Sequence, residues 1–168
     1  MSNYNRTTRE CPVSQMYPEV RQAIRDYFQE HELGDIFSET LISCETLSEK
    51  KDLSGLASVF DDSLDATIHT GMLLTPHWLI WVRSGDKSGT LLAAANLENI
   101  SVRESFSILT QDSGLEVSGY IESSKSRVRG HIATGGEPIV QKFCDEVNQA
   151  IAKVKPPVKK GWPKWMGG

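Results

Sequence analysis

Cysteine is scarce in this chain, and long hydrophobic runs are missing from it. The three cysteines, Cys11, Cys44 and Cys144, are far apart and form no CxxC pair, so neither a disulfide framework nor a zinc knuckle is expected. No stretch approaches the roughly 18 consecutive apolar residues of a membrane span. The polar start of the chain, MSNYNRTTRE, contains no apolar region of a secretory signal. These features favour a reducing cytoplasm as the compartment.

The sequence also lacks the short motifs that identify common catalytic sites. It contains no GxSxG, HExxH, P-loop or GxGxxG, and its four histidines are scattered through different predicted elements. Asp61, Asp62 and Asp65 lack the glycine and the alternating spacing of a calcium loop, so we interpret them as solvated loop acids. We therefore expect no catalytic residue, no metal and no cofactor, and predict that the chain is not an enzyme.

Charge is distributed unevenly around a net value of −4. The body of the chain is acidic, whereas residues 154–168 contain four lysines and no acid. Nucleic-acid binding requires many cations that neutralise phosphates. The acidic body therefore argues against a nucleic-acid partner.

Apolar residues at helical spacing predict two amphipathic helices. The first spans residues 18–32, with Pro18 at its first position. The second spans about residues 139–154, where an apolar stripe persists for four turns until Pro156-Pro157 ends it. Residues 1–16 are expected to be irregular.

Between these helices, period-two alternation predicts seven consecutive antiparallel strands. They span residues 40–47, 66–74, 77–83, 90–95, 105–110, 115–121 and 127–133, with residues 56–64 left open as a short helix or a loop. Because strands and helices do not alternate, two packed sheets or a barrel are expected rather than a parallel doubly wound sheet. On the last strand, the outward residues should be Arg127, Arg129 and His131, on the same side of the sheet as Glu116, Ser118 and Tyr120 whether the turn has two or four residues.

Four segments in this order resemble bacterial pleckstrin-homology-like (PH-like) and GRAM-like domains. ISCETLSEKK (42–51) resembles their first strand and loop, and GMLLTPHWLIWV (71–82) resembles a hairpin of such domains. LAAANLENISV (92–102) and GGEPIVQKFCDEVNQAI (135–151) resemble a later strand and the closing helix. The resemblance covers about residues 36–154. It implies a mainly β (α+β) fold, in which a seven-stranded antiparallel barrel or sandwich is capped by a C-terminal amphipathic helix, with an extra N-terminal helix.

The resemblance also implies how the chain is divided and what it does. An N-terminal arm (1–34) would precede the PH-like domain (35–154), and a basic tail (155–168) would follow it. The family implies binding rather than catalysis, to phosphoinositide head groups, to protein partners or to further copies of itself.

Loop cations form the first candidate site, for an anion or a lipid head group. Loops cluster at the open end of a PH-like barrel, and here those loops carry Lys50, Lys51, Lys87, Lys125 and Arg127. We hypothesise that they converge, because phosphate binding needs several donors and positive charges at one point. The alternative is that these loops carry lysine for solubility.

The tail is the second candidate site. Lys159, Lys160 and Lys164 are interleaved with Trp162 and Trp165. A polar disordered tail would not carry two tryptophans, so we expect this one to dock within the chain or onto a neighbouring subunit. Contact with an anionic membrane is the alternative, since tryptophan suits the interface and lysine suits the head groups.

The leading hypothesis is a non-catalytic PH-like interaction or scaffold module. It would bind an unidentified protein partner or self-associate as a homo-oligomer. The alternative is peripheral binding to anionic, phosphoinositide-like head groups through the loop lysines and the tail. The expected location is the cytoplasm, at the membrane periphery under the alternative hypothesis.

Overall fold

The computed structural model describes residues 2–51, 64–108 and 111–155. The strands within these ranges are β1 (Tyr4–Glu10), β2 (Ile42–Lys50), β3 (Thr67–Leu74), β4 (Trp78–Gly85), β5 (Gly89–Asn96), β6 (Ile100–Ser107), β7 (Asp112–Ile121) and β8 (Ser126–Ala133). The helices are α1 (Pro18–Glu30), α2 (Ile36–Glu39) and α3 (Pro138–Val154). No helix of the described ranges is both long enough and apolar enough to cross a membrane.

All strand pairings are antiparallel and lie in two sheets. One sheet has the order β1-β2-β3-β4-β5, and the other has the order β6-β7-β8. Within the described ranges no strand pairing joins the two sheets, so they are packed layers and not a closed barrel. A mainly antiparallel α+β protein with a C-terminal helix, as predicted, is confirmed.

Both predicted helices and six of the seven predicted strands are confirmed, and β1 and α2 are additions to them. The predicted strand over residues 105–110 has the wrong bounds, because β6 runs over Ile100–Ser107: Ile100 and Val102 are its buried apolar residues, whereas Phe106 is 60% exposed.

The expectation of irregular structure over residues 1–16 is wrong, because β1 pairs with β2 along its whole length. Its inward side chains are polar, which hides the strand in the sequence. Arg6 reaches Asp112 of the other sheet, and Thr8 Oγ1 lies 2.8 Å from Thr46 Oγ1. Of residues 56–64, for which the sequence leaves helix and loop open, residues 56–63 lie outside the described residues.

The five-stranded sheet is buried on both faces. On its outer face, α1 places Val20 and Ile24 over Ile80 and Val82, and all four side chains are fully buried. A Cβ atom at Gly71 would lie 2.4 Å from Val20 Cγ1, so the helix rests directly on the strand backbone at that point. The amphipathic helix is therefore a third layer of the fold.

The inner face of the same sheet packs against the three-stranded sheet and α3. Met72 and Leu79 meet Leu115, Val117 and Phe143 in this larger core, and none of the five is exposed. Trp81 is partly buried and packs against this core, whereas Trp78 packs on the other face of the sheet, against the apolar residues around α1. The opposite directions of the two tryptophans on one strand follow from the alternation of side chains along β4.

Candidate binding surfaces

The outward side of the three-stranded sheet carries a group of arginines. In the β7–β8 register, Arg127 lies opposite Tyr120, Arg129 opposite Ser118, and His131 opposite Glu116. The sequence predicts that these residues share the outward side of the sheet, and that prediction is confirmed. With Arg103 of β6, which lies opposite Glu116, Arg127 and Arg129 form what we term the arginine face.

One carboxylate partly neutralises the arginine face. Glu116 Oε1 lies 2.8 Å from an Arg103 nitrogen and 3.6 Å from Arg129 Nε. Within the described part of the chain, Arg127 makes no ion pair or hydrogen bond through its side chain. Arg103 and Arg129 keep 67% and 72% of their side-chain surface exposed. The face is therefore cationic and accessible on a chain whose net charge is negative.

The arginine face ends at an open sheet edge. The Thr134 N–H donates to the Ser113 carbonyl at 3.0 Å, so the backbone groups of Thr134 point towards β7. In an antiparallel pair, the backbone groups of successive residues point alternately towards the partner strand and away from it. The N–H and C=O groups of Arg127, Arg129 and His131 consequently point away from β7. In the described ranges no strand pairs with this side of β8.

Each edge of the five-stranded sheet makes hydrogen bonds to other parts of the chain along part of its length. On β1, the Thr8 N–H donates to Glu137 Oε2 at 3.0 Å. On β5, the Ala94 N–H donates to Ser123 Oγ, also at 3.0 Å. Such contacts protect part of an edge from pairing with other chains, and within the described ranges the outward backbone groups of Arg127, Arg129 and His131 make none.

The five predicted loop cations lie on two different sheets. Lys50 and Lys51 lie at the end of β2, and Lys87 lies in the β4–β5 hairpin at the same end of the five-stranded sheet. Lys125 lies in the β7–β8 turn, and Arg127 belongs to β8 and the arginine face. An anion site that joins all five stays a prediction.

The tail prediction falls beyond the described part of the chain. The residues concerned are Lys159, Lys160, Trp162, Lys164 and Trp165, and all lie outside the described residues, as do Asp61 and Asp62. Docking of the tail therefore stays a prediction.

Asp65 corrects the expectation that the three aspartates are solvated loop acids. Only 4% of Asp65 is exposed, and its carboxylate accepts the N–H groups of Lys87 (2.6 Å) and Ser88 (2.8 Å). Ser88 Oγ (2.7 Å) and an Arg83 nitrogen (3.0 Å) also donate to it. Burial alone would raise the pKa of this carboxyl, but the hydrogen bonds and the Arg83 charge outweigh burial and lower the pKa to about 2. Asp65 thus holds the β4–β5 hairpin.

An open cleft lies between α1, α2 and the strand ends of the five-stranded sheet, and we term it the α1–α2 cleft. Its volume is about 780 Å³. Phe28 and Ile42 contribute buried apolar surface to its wall, and Phe37 and Leu41 line it with 89% and 53% of their surface exposed. Sequence reasoning missed this cleft. The sequence feature that indicates it is the apolar pair Ile36-Phe37, which lies in the polar stretch between the first helix and the first predicted strand.

The charged groups that line the α1–α2 cleft are unequally partnered. Glu10 forms an ion pair with Lys142 of α3 at 3.1 Å, and Asp35 accepts the Ser38 N–H at 2.8 Å as the N-cap of α2. Arg25 makes no hydrogen bond or ion pair within the described part of the chain. The cleft therefore presents one unpartnered cation beside an apolar wall.

Glu45 forms the only buried carboxylate–histidine contact among the described residues. Glu45 Oε1 lies 3.2 Å from His69 Nδ1, and the Tyr17 N–H donates to Glu45 Oε2 at 2.7 Å. The Tyr17 ring stacks on the His69 ring with centroids 3.8 Å apart. These contacts attach the segment that begins α1 to the face of the sheet, so a structural role accounts for all three side chains.

Cysteine chemistry and metal binding gain no support from the described residues. Burial raises the pKa of all three thiols, and raises that of Cys44 to about 12, so they stay protonated at neutral pH. No group of three or more His, Cys, Asp or Glu side chains in the described ranges is placed to hold a metal ion.

Comparisons with family models, with curated proteins and with solved structures find no match for this chain. The edge of β8 with its arginine face, and the α1–α2 cleft, are the two surfaces whose chemistry points to a ligand. The first offers positive charge and backbone groups that no described strand pairs, and the second offers apolar surface and Arg25.

Proposed function

We propose that this chain is a non-catalytic PH-like interaction module whose partner is an extended protein segment bound along β8. The order of elements supports the architecture, because β2–β5 lie in one sheet, β6–β8 lie in the other, and α3 packs against the core between them. The observation that carries the function is that β8 combines an open edge with two outward arginines.

The open edge supplies main-chain hydrogen bonds for such a segment. Outward N–H and C=O groups of Arg127, Arg129 and His131 match the spacing of a fourth antiparallel strand. An exposed edge of this kind is a template for pairing with another chain, and addition of a strand is a common mode of peptide recognition. Backbone pairing provides affinity but little discrimination between sequences.

The side chains of β8 define the partner's sequence pattern. On the outward side, an added strand would place alternate residues beside Arg127 and Arg129, where acidic side chains form favourable cross-strand pairs. On the inward side, its other residues would lie beside Val128, which is 41% exposed, and near the buried Ile132. The expected partner is therefore an extended segment in which acidic and apolar residues alternate.

Charge also disfavours self-association through this edge. If a second copy of β8 paired antiparallel with the first, arginine would lie opposite or diagonal to arginine. Like charges in those positions destabilise a sheet. A different, acidic protein is thus favoured over a homodimer formed by β8.

A direct test uses a fluorescent peptide of alternating glutamate and valine, with a lysine–valine peptide for comparison. We expect fluorescence anisotropy to show binding of the acidic peptide only, and binding should weaken as salt screens the charges. The double variant Arg127→Glu/Arg129→Glu should lower affinity about tenfold or more, because two attractive cross-strand pairs become repulsive.

Two further variants separate charge from backbone pairing. His131→Pro keeps both arginines but removes one outward N–H, so it should also weaken binding. Lys153→Glu, an exposed reversal on α3, is the matched control and should leave binding unchanged. If the acidic peptide does not bind, or binds equally to the arginine variant and the wild type, the proposal fails.

Anionic-lipid binding is the second candidate function. The observation that favours it is the placement of Lys50, Lys51 and Lys87 at one end of the five-stranded sheet. Sedimentation with vesicles of phosphatidylserine and phosphatidylcholine tests it. Binding that is lost in Lys50→Glu/Lys51→Glu and kept in Arg127→Glu/Arg129→Glu would favour this function over the first.

A further inference from the structure

We infer that the α1–α2 cleft binds a small amphipathic anion, an apolar chain that ends in a carboxylate. This site is separate from the edge of β8. The inference rests on three features of the cleft: its apolar wall, the partners of its charged residues, and the state of its backbone groups.

The size and lining of the cleft suit a small molecule with an apolar body. Ligand sites usually have volumes of about 300–1,000 Å³ and mainly apolar walls, and this cleft has about 780 Å³. Phe37 and Leu41 stand exposed beside the buried Phe28 and Ile42. An alkyl chain lying across them would remove apolar surface from water, which is favourable in proportion to the area covered.

Among the charged groups that line the cleft, Arg25 is the one that would bind an anionic head group. Lys142 neutralises Glu10, and the N-cap hydrogen bond of α2 occupies Asp35. Arg25 is left as a cation with no acceptor in the described part of the chain. A carboxylate can accept two parallel hydrogen bonds from a guanidinium, so it matches Arg25 in both charge and shape.

The backbone of the cleft favours an alkyl chain over an extended peptide. The Cys11 N–H donates to the Ser43 carbonyl at 3.2 Å, and the Leu41 N–H donates to the Leu74 carbonyl at 2.8 Å. Ser43 Oγ donates to the Cys11 carbonyl at 2.6 Å. A peptide in the cleft would bury its own N–H and C=O groups beside backbone that is already paired, at a cost for each unpaired group. An alkyl chain has no such groups.

The experiment is a calorimetric titration of the full chain with three probes that share a ten-carbon chain: decanoate, decanol and decyltrimethylammonium. We expect decanoate to bind most tightly and the cationic probe to bind most weakly. Arg25→Gln should lower decanoate affinity about tenfold, as for loss of a hydrogen bond to a charged group, and should leave decanol affinity unchanged. Arg25→Lys keeps the charge but loses the two parallel hydrogen bonds, so its affinity for decanoate should lie between those of Arg25→Gln and the wild type.

Variants of the apolar wall test the other half of the site. Phe37→Ser should weaken decanoate and decanol alike, because it removes apolar surface but no charge. Leu91→Ser is the matched control, since Leu91 is 69% exposed on β5 and does not line the cleft. The circular dichroism spectrum of each variant verifies that it is folded.

Three results would overturn the inference. They are an absence of decanoate binding, equal decanoate binding by Arg25→Gln and the wild type, and equal weakening by Leu91→Ser and Phe37→Ser. The last result would mean that the probes adsorb to any exposed apolar side chain. Because Arg127→Glu/Arg129→Glu leaves the cleft intact, decanoate should still bind that variant, so this inference and the proposed function can fail independently.

Discussion

Replacement of Asp65 by asparagine should destabilise the protein in a pH-dependent way. The side chain is 4% exposed, and it accepts four hydrogen bonds from the β4–β5 hairpin and Arg83. A carboxyl whose pKa falls from 3.8 to about 2 on folding contributes roughly 2–3 kcal/mol to the free energy of unfolding at neutral pH. Asp65→Asn keeps the size of the side chain and removes the charge, so it should lose about that amount.

The pH dependence follows from the direction of the shift. Because folding lowers the pKa of Asp65, its stabilisation is fully present above the unfolded pKa of about 4 and is lost as the pH falls towards about 2. At pH about 3, roughly half of the difference between the wild type and Asp65→Asn should remain. Urea unfolding followed by tryptophan fluorescence, at neutral pH and in steps down to pH about 3, measures this difference.

Asp86 provides the control for this prediction. It lies in the same hairpin but is exposed, and it accepts a hydrogen bond from the Thr67 N–H at 3.1 Å. Asp86→Asn should change the free energy of unfolding by less than about 1 kcal/mol. If the loss caused by Asp65→Asn is the same at neutral pH as at pH about 3, the Asp65 charge is not what stabilises the hairpin.

Two other substitutions test the packing of the two cores. Gly71→Ala should destabilise by about 1–3 kcal/mol in urea unfolding, because its Cβ would lie 2.4 Å from Val20 Cγ1; an unchanged midpoint would show that α1 does not rest on β3. Phe143→Ala should cost about 3–5 kcal/mol, whereas Val128→Ala, at a side chain that is 41% exposed, should cost less than about 1 kcal/mol. Similar losses for Phe143→Ala and Val128→Ala would contradict the assignment of α3 to the core.

Local periodicity explains why most elements could be predicted. Apolar residues along α3 repeat every three or four positions, and those of β7 alternate with polar ones, because each element has a buried side and a regular geometry. The shared face of Arg129 and Ser118 was predictable for the same reason, since turns of two and of four residues between the strands keep the same alternation of side chains. These are properties of neighbouring residues, which the sequence displays directly.

The elements that escaped prediction depend on contacts between distant residues. The inward side chains of β1 are polar. This segment is a strand because it pairs with β2 and because its Arg6 and Thr8 side chains contact Asp112 and Thr46. Asp65 has the composition of a solvated loop acid, and only the return of the chain at Lys87 and Ser88 buries it.

For the two binding surfaces too, the sequence determined some features and the tertiary structure decided others. The sequence by itself determined that Arg127 and Arg129 share a face, because alternate residues of a strand point to the same side. Only the tertiary structure decided that β8 ends its sheet without a partner in the described ranges, and that Arg25, Phe37 and Leu41 line one cleft. The physical reason is that an edge and a cleft depend on where whole elements pack, and local side-chain patterns do not specify that arrangement.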